Sequence, residues 1–118
     1  MYTIRSHKRV ALPATATLTV TDEQDTRSIQ TMVADISLSG IGVYSDQPIR
    51  DGKDLSVDIY FISSDGSIRC ASVDGSIGHA RKMRNIYYVG IQFKKDIMPA
   101  QQPLLYEYLM TLLRCSRK

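Results

Sequence analysis

Apolar and polar side chains alternate along most of this chain. From Ala14 to Val20, every second residue is apolar and the residues between them are threonines. Since successive side chains of a strand point to opposite faces, this period of two predicts a half-buried strand. Five more strands are predicted on similar grounds, at about 28–38, 43–44, 55–61, 67–80 and 86–93.

Two predicted strands carry details that decide which face a residue occupies. In the second strand, alternate residues are expected to face the core, and these are Met32, Ala34, Ile36 and Leu38. Asp35 and Ser37 then share the opposite face. In the fifth strand, the apolar parity shifts between Cys70 and Val73, which predicts a β-bulge at that point.

Residues typical of turns separate the predicted strands. The segment 39–42 contains two glycines, and it is expected to interrupt the strand pattern with a bend or a close backbone approach. The segment 46–53 predicts a loop because it contains a proline and an Asp-Gly pair. Asp65-Gly66 predicts a hairpin turn, and 81–85 predicts a basic turn.

The tail of the chain changes to a helical period. Its apolar residues recur on one helix face, at Leu104, Leu105, Tyr108, Leu109, Leu112 and Leu113. This stripe predicts a helix over 99–116 that covers an open end of a sheet, although a membrane-surface or partner-binding helix has the same pattern. Consecutive antiparallel strands over 12–94, followed by one helix, predict a mainly β fold: a six-stranded barrel or rolled sheet with a C-terminal helix.

Length and composition limit the class of protein. The chain has 118 residues, of which 43% are hydrophobic and 23% charged, values typical of a single globular domain. Because no apolar run could span a bilayer and no signal peptide is evident, we expect a cytoplasmic protein without membrane insertion. The net charge is +3, and residues 1–9 and 114–118 each carry +3, which leaves −3 for the body between them. A basic end attracts phosphate-bearing ligands, nucleic acids or acidic partners.

Sequence patterns of catalysis and metal binding are missing. The histidines, His7 and His79, lie outside any cluster of metal ligands, and Cys70 and Cys115 lack the spacing of a zinc site. The chain has no nucleophile elbow, phosphate-binding loop or zinc-protease motif. We therefore expect a protein that is not an enzyme and that needs no metal or cofactor.

A basic motif lies in the N-terminal arm, which we place at 1–10. Arg5 and Arg9 are four residues apart, a spacing that puts both guanidiniums on one side of a helix or an extended segment. Each guanidinium can bind phosphate oxygens or the edge of guanine with paired hydrogen bonds, or stack on a base. Lys8 adds positive charge beside them.

A second motif is Asp35-x-Ser37-x-x-Gly40. A carboxylate can accept hydrogen bonds from N1–H and the N2 amino group of guanine, and a hydroxyl can donate to a phosphate or a base. Gly40 would let the chain turn, or let a ligand approach without a Cβ in the way. The alternative is that the acid and the hydroxyl satisfy backbone groups at the end of a strand.

The two motifs, in this order on a short β-rich chain, resemble the PilZ domain family. The segment Tyr87–Phe93 is similar to the family's Y-x-V-G-x-x-F pattern, and the C-terminal helix also fits. The resemblance extends over 4–113, nearly the whole chain. It implies a six-stranded antiparallel β-barrel that binds cyclic di-GMP, a bacterial second messenger with two guanines and two phosphates.

The resemblance also implies roles for individual residues. Arg5 and Arg9 would clamp the ligand, Asp35 and Ser37 would bind guanine, and Gly40 would allow its close approach. Ligand binding would order the arm on the barrel and create a surface for a partner, an effector protein that the sequence does not identify.

Two positions differ from many relatives. Ile4 stands where an additional arginine often precedes the first motif, and this difference bears on how many ligand molecules stack in the site. His79 stands near the place where some relatives have an aromatic residue, so it is a candidate ligand neighbour together with Lys8.

Two other functions compete with a cyclic di-GMP receptor. One is a PilZ-like module that binds protein and no nucleotide, although such modules tend to lack both motifs. The other is a barrel that binds single-stranded nucleic acid through a basic turn (Arg81, Lys82 and Arg84) and the stacking rings of Tyr87 and Tyr88. The low net charge argues against the second, so we expect no DNA or RNA partner.

Overall fold

The computed structural model describes residues 14–21, 25–50 and 52–115. The proposed basic arm at 1–10 lies outside the described residues. Six antiparallel strands close into a barrel in the order β1-β2-β3-β6-β5-β4, and one helix follows them. The elements are β1 (Thr15–Thr21), β2 (Thr26–Ile36), β3 (Gly40–Ser45), β4 (Asp54–Ile62), β5 (Ile68–Met83), β6 (Ile86–Phe93) and α1 (Pro103–Cys115). The predicted mainly β, six-stranded barrel with a C-terminal helix is confirmed.

The predicted alternation holds in three of the strands. Leu18 in β1 and Ile59 in β4 are fully buried, and Ile91 in β6 is 1% exposed. Their neighbours along each strand point outward, because side chains alternate between the two faces of a strand. One hydrophobic core therefore fills the barrel, and transfer of its apolar side chains from water is the main stabilising term.

The second strand differs from its prediction. Met32 is 67% exposed and faces outward, whereas its neighbour Val33 is buried. The register of β2 against β3 shifts between Val33 and Asp35, so Ala34 is the extra residue of a β-bulge. The bulge reverses the alternation, and for this reason the core position predicted for Ile36 is correct while that of Met32 is wrong.

The glycine-rich segment forms part of the third strand. β3 begins at Gly40, three residues before the predicted start, and Gly42 pairs with Asp35 of β2 and Gly90 of β6. The predicted interruption at 39–42 is therefore limited to the turn that precedes Gly40. At Gly42, the close approach is made by the side chains of Tyr88 and Asp35 and not by another backbone segment.

The fifth strand is longer than predicted, and its bulge lies elsewhere. The register of β4 against β5 is regular past Cys70 and Val73, where the bulge was expected. The observed register shift falls between Ile77 and His79. The prediction was wrong because Ile68, which is 75% exposed, is an apolar residue on the outer face.

The connection between β5 and β6 is shorter than the predicted basic turn at 81–85. Pairing continues to Met83 and Ile86, so Arg81 and Lys82 belong to the strand. Arg84 and Asn85 form the turn, and Arg84 has a φ of 55°.

The C-terminal helix covers part of the core. It begins at Pro103, later than the predicted 99, and proline is favourable at the first helical position because its missing N–H needs no partner there. Leu105 and Leu109 are each 1% exposed and join the core cluster. The ring of Tyr108 lies 5.1 Å from that of Phe61, and partial burial raises the pKa of the Tyr108 phenol. In the described part of the chain, no helix is long and apolar enough to cross a bilayer.

A serine–aspartate turn joins β4 to β5 where Asp65-Gly66 predicted it. The Asp65 carboxylate accepts hydrogen bonds from the hydroxyls of Ser63 and Ser67 at 2.6 Å each, and from the Ser67 N–H at 2.9 Å. Gly66 has a φ of 85°, which suits a residue without a Cβ. The serine hydroxyls hold the pKa of the Asp65 carboxyl well below its usual range.

We expect Asp65→Asn to lower the midpoint temperature of thermal unfolding at neutral pH. The difference from the wild type should become smaller as the pH falls. A carboxyl whose pKa is depressed by folding stabilises the protein above its unfolded pKa, which is about 3.9, and this stabilisation is lost as the pH falls through the folded pKa. Thermal unfolding of both proteins across a pH series measures the difference. Asp46→Asn, an exposed carboxylate outside this turn, is the control. A deficit that stayed constant to the lowest pH would contradict this explanation.

Candidate ligand-binding face

Four neighbouring strands bring one row of outward-facing residues together. Asp35 of β2 is paired with Gly42 of β3, Gly42 with Gly90 of β6, and Gly90 with His79 of β5. An acidic and an imidazole side chain thus lie at the two ends of the row, with a pair of glycines between them. The two glycines leave room on the barrel surface for the side chains that lie beside them.

Aromatic residues come from the next row. Tyr44 of β3 is paired with Tyr88 of β6, and Tyr88 with Arg81 of β5. Tyr44 and Arg81 are exposed, and Tyr88 is half-buried. The surface formed by the two rows is here named the Asp35 face, and it consists of Asp35, Gly42, Tyr44, His79, Arg81, Tyr88 and Gly90.

The bulge in β2 places Asp35 on this face. Because Ala34 is the extra residue, Asp35 points outward while Ile36 turns into the core. Asp35 is half-buried, and the Tyr88 hydroxyl donates a hydrogen bond to its Oδ2 at 3.4 Å. The phenol therefore helps to define where the carboxylate lies.

The glycine pair makes room for the two rings. A Cβ on Gly42 would lie 2.7 Å from Cζ of Tyr88 and 2.9 Å from Oδ1 of Asp35. A Cβ on Gly90 would lie 2.6 Å from Cε1 of His79. Real side chains do not approach so closely, so the Tyr88 phenol and the His79 imidazole occupy these positions only because both residues beneath them are glycines.

The rings form a continuous aromatic surface. The centroids of Tyr88 and His79 are 5.8 Å apart, with an angle of 35° between their planes. Tyr44 contacts Tyr88 edge-on, also at 5.8 Å, with an angle of 67°. These separations are favourable for aromatic pairs, and a planar ligand could stack on such a surface.

The turn after Asp35 uses the second residue of the motif. β2 ends at Ile36, so Ser37 does not share a strand face with Asp35 as the sequence predicted. Ser37 is 3% exposed, and its Oγ accepts hydrogen bonds from the N–H groups of Ser39 and Gly40, both at 3.2 Å. Its own N–H donates to the Gly40 carbonyl at 2.8 Å. Ser37 and Gly40 thus shape the turn that follows the carboxylate. The hydroxyl satisfies backbone groups, as the alternative interpretation of the motif expected, whereas the Asp35 carboxylate accepts a hydrogen bond from a side chain, that of Tyr88.

The basic motif, with Arg5, Lys8 and Arg9, lies outside the described residues. The chain enters the described region at Ala14, whose carbonyl accepts a hydrogen bond from the Val33 N–H at 3.0 Å, two residues before Asp35.

The Asp35 face has the groups needed to bind a planar heterocycle. Its carboxylate can accept two adjacent N–H groups, its rings can stack on the flat face, and the exposed Arg81 guanidinium can attract an anion. In the ranges that the structure describes, no group of three or more His, Cys, Asp and Glu residues could hold a metal ion. The arrangement is therefore suited to recognition of a ring with attached negative charge.

Sequence reasoning found Asp35 and His79 but not the surface between them. As a candidate site residue, Tyr88 entered only for base stacking in the nucleic-acid alternative, and Tyr44 was predicted only as part of the short strand at 43–44. The signal was the occurrence of Gly-x-Tyr at 42–44 and Tyr-x-Gly at 88–90, which places a tyrosine two residues from a glycine on each of two strands. Without the β3–β6 register, the two patterns could not be aligned.

Solved structures provide a comparison of the fold. MotI/DgrA, the inhibitor of motility from Bacillus subtilis, matches with a TM-score of 0.74 and 16% identity, over 99% of this chain and 55% of that chain. The PilZ domain of YcgR from Escherichia coli, solved with c-di-GMP, matches with a TM-score of 0.64 and 15% identity, over 96% and 94%. The MrkH–c-di-GMP complex from K. pneumonia matches with a TM-score of 0.67 and 14% identity, over 98% and 56%. The chain thus spans about half of MotI/DgrA and of MrkH.

A family model identifies the protein family, which structural matches at 14–16% sequence identity do not. No match was found among curated proteins. The model of the PilZ domain matches residues 3–111, which includes both sequence motifs, the whole barrel and most of the helix. The chain therefore belongs to the PilZ domain family.

Proposed function

We propose that this protein is a receptor for cyclic di-GMP that transmits ligand binding to a protein partner. The observation that carries the proposal is the Asp35 face: a motif carboxylate beside an aromatic surface, on a PilZ barrel. The similar YcgR and MrkH structures are complexes with c-di-GMP, which supports the same ligand here.

In the proposed complex, Asp35 binds a guanine base. Its carboxylate accepts N1–H and N2–H, two donors that lie side by side on guanine and that adenine does not have. The guanine stacks against the His79 and Tyr88 rings. Ser37 and Gly40 act through the turn that fixes Asp35, because the Ser37 hydroxyl already accepts two backbone hydrogen bonds.

The arginines of the first motif neutralise and clamp the ligand. Arg9 precedes Ala14 by five residues, and a chain of that length reaches at most about 17 Å. Since Ala14 is bonded next to the strand that carries Asp35, this reach includes the Asp35 face. Paired guanidinium hydrogen bonds to the phosphates and to guanine then hold the ligand on the barrel, with Lys8 adding positive charge.

Binding is proposed to change the conformation of the arm and thereby to signal. We propose that the protein acts in the cytoplasm, where an effector protein recognises the barrel with the arm docked. Amide hydrogen exchange tests this step: ligand should increase the protection of residues 5–10. Equal protection with and without ligand would exclude the proposed ordering of the arm.

Calorimetric titration with cyclic di-GMP tests the proposed ligand, with GTP as the control. We expect binding in the low micromolar range or tighter, which corresponds to about −8 kcal/mol, and no binding of GTP. A folded protein that gives no heat with cyclic di-GMP would exclude the receptor and favour the nucleotide-independent protein-interaction module. Strong, salt-dependent binding of random single-stranded oligonucleotides would favour the nucleic-acid alternative.

Tyr88→Phe is expected to weaken cyclic di-GMP binding about tenfold. The substitution keeps the stacking ring and removes the hydroxyl that donates to Asp35, and a hydrogen bond to a charged group contributes about 1.5 kcal/mol or more. Calorimetry measures the change. Tyr87→Phe is the matched control, because Tyr87 is the neighbouring residue and its side chain points to the other face of β6. Equal affinities of wild type and Tyr88→Phe would show that the hydroxyl does not position the carboxylate.

A further inference from the structure

We propose that the end of the β5–β6 hairpin, residues 78–87, is a docking surface for an acidic strand of a partner protein. The inference deepens the proposed signalling, because it names a surface and a partner chemistry for it. It rests on that proposal only for the existence of a protein partner, and its test is carried out without nucleotide.

The hairpin presents a sheet edge. Pairing of β4 with β5 ends at Asp54 and Ser76, and the loop before β4 adds two last hydrogen bonds at Ile77, one from the Gly52 N–H and one to the Lys53 carbonyl. Beyond the bulge, the pairing of β5 among the described residues is with β6 alone, as far as Met83 and Ile86. An edge of this kind can add another extended chain through main-chain hydrogen bonds.

The positive charge of the hairpin end indicates what kind of strand can bind to this edge. The segment 75–95 contains no Asp or Glu, and the hairpin end carries Arg81, Lys82 and Arg84, all exposed. Positive side chains beside a free edge repel a second copy of the same strand, whereas an acidic strand gains from the contact. The charge of the hairpin end therefore disfavours pairing with a second copy of the same strand and favours binding of an acidic chain.

Two apolar side chains favour a polypeptide over a nucleic acid. Met83 and Ile86, the last pair of the hairpin, are 38% and 37% exposed. A side chain of a strand added to β5 could lie against Met83, and a phosphate backbone has no apolar group for either residue. A phosphate can accept hydrogen bonds from the N–H groups of a sheet edge, but it has no donors for the carbonyl groups. The body of the protein is also net acidic, which disfavours a long polyanion.

The turn residue supports a role for the basic side chains beyond folding. Arg84 has a φ of 55° at a turn position where glycine, asparagine or aspartate is usual. Arg84→Gly should therefore make the hairpin more stable. If the Arg84 side chain contacts the acidic strand, Arg84→Gly should also weaken docking. Hairpin stability and affinity for the strand would then change in opposite directions.

The probe is a short fluorescein-labelled peptide of alternating Glu and Val, measured by anisotropy against the ligand-free protein. A Lys/Val peptide and a single-stranded oligothymidine of equal charge magnitude are the comparison probes. We expect the Glu/Val peptide to bind best and to increase the amide protection of residues 78–83. Arg81→Glu with Arg84→Glu should weaken it at least about tenfold. Lys95→Glu with Arg114→Glu, which makes the same change of charge at exposed positions outside the hairpin, should change it little.

Each other result would overturn the proposal. Absence of Glu/Val binding, or binding that leaves the amides of 78–83 unprotected, would show that the hairpin edge does not dock acidic strands. Preference for oligothymidine would assign the basic residues to nucleic acid, and dimerisation that the hairpin variants abolish would assign the edge to a second copy. Since none of these measurements contains cyclic di-GMP, failure of the receptor proposal remains a separate result.

Discussion

Replacing Arg9 with alanine should weaken cyclic di-GMP binding by at least about 100-fold, and Arg5→Ala should have a comparable effect. A guanidinium that makes paired, charge-assisted hydrogen bonds contributes about 3 kcal/mol or more, and each 1.4 kcal/mol is a factor of ten in affinity. The Asp35 face offers the ligand one carboxylate, an aromatic surface and a single guanidinium, that of Arg81. The two phosphates therefore depend on the arm for most of their neutralisation. Calorimetric titration of each variant measures the loss.

Two variants separate the geometry of the guanidinium from its charge. Arg9→Lys keeps the charge but loses the planar pair of donors, so its affinity should lie between those of the wild type and Arg9→Ala. Arg69→Ala removes the same charge from the far end of β5, where Arg69 forms an exposed ion pair with Asp65 at 3.2 Å, and it should bind normally. If Arg9→Ala bound as tightly as Arg69→Ala, the ligand would not be clamped by the first motif.

The strand pattern predicted the barrel because alternation is a property of each strand taken alone. β1, β4 and β6 have apolar residues at every second position, and their burial follows that pattern. The helix was equally visible, since its stripe of leucines has a different period. Its start was placed too early because apolar periodicity does not show where the backbone begins to turn.

The bulges escaped prediction because they depend on pairing between strands. At Ala34 and Gly78, one strand has a residue more than its partner, and only the register of the neighbouring strand reveals it. In the second strand, the apolar but exposed Met32 made the alternation appear continuous as far as Ile36, so the bulge at Ala34 could not be recognised. In the fifth strand, outward-facing Ile68 produced an apparent change where none occurs.

The candidate site was predictable in part. Asp35 was expected on an outer face, and the structure places it there, although by means of a bulge rather than by simple alternation. Ser37 was expected beside it, but the end of β2 at Ile36 draws the hydroxyl into the turn. The aromatic surface could not be predicted, because Tyr44, His79 and Tyr88 are far apart in sequence and meet only through the pairing of three strands.

The proposed ligand-binding site and the proposed docking surface for a partner share two strands, β5 and β6. β5 carries His79 and Arg81, which belong both to the Asp35 face and to the proposed docking surface at 78–87. A ligand on the Asp35 face would thus lie against residues that the proposed partner surface also contains. The barrel needs no long-range movement to couple them, since a bound anion would change the electrostatic potential at Arg81 directly.

Gly42→Val is expected to reduce cyclic di-GMP affinity by about 100-fold or more while the barrel remains folded. Valine suits a strand, and the new side chain points outward, away from the core. Its Cβ would lie 2.7 Å from Cζ of Tyr88 and 2.9 Å from Oδ1 of Asp35. The tyrosine can swing away at little cost in stability, because the contact is with the far end of its side chain. Base stacking and the positioned carboxylate are then lost together, and each contributes on the order of 1–3 kcal/mol.

Gly78→Ala is the control for this substitution. Gly78 lies on β5, which β6 separates from β3, and a Cβ there would approach the Gly90 carbonyl oxygen at 3.6 Å, an ordinary contact. We expect this variant to bind cyclic di-GMP within a few-fold of wild type, and thermal unfolding should show both variants folded. Gly42→Val removes the space beneath the Tyr88 ring, and Gly78→Ala leaves it intact. The difference between their affinities for cyclic di-GMP therefore measures how much the glycine at position 42 contributes to binding. Normal binding by Gly42→Val would mean that the ligand does not use the aromatic surface that Gly42 supports.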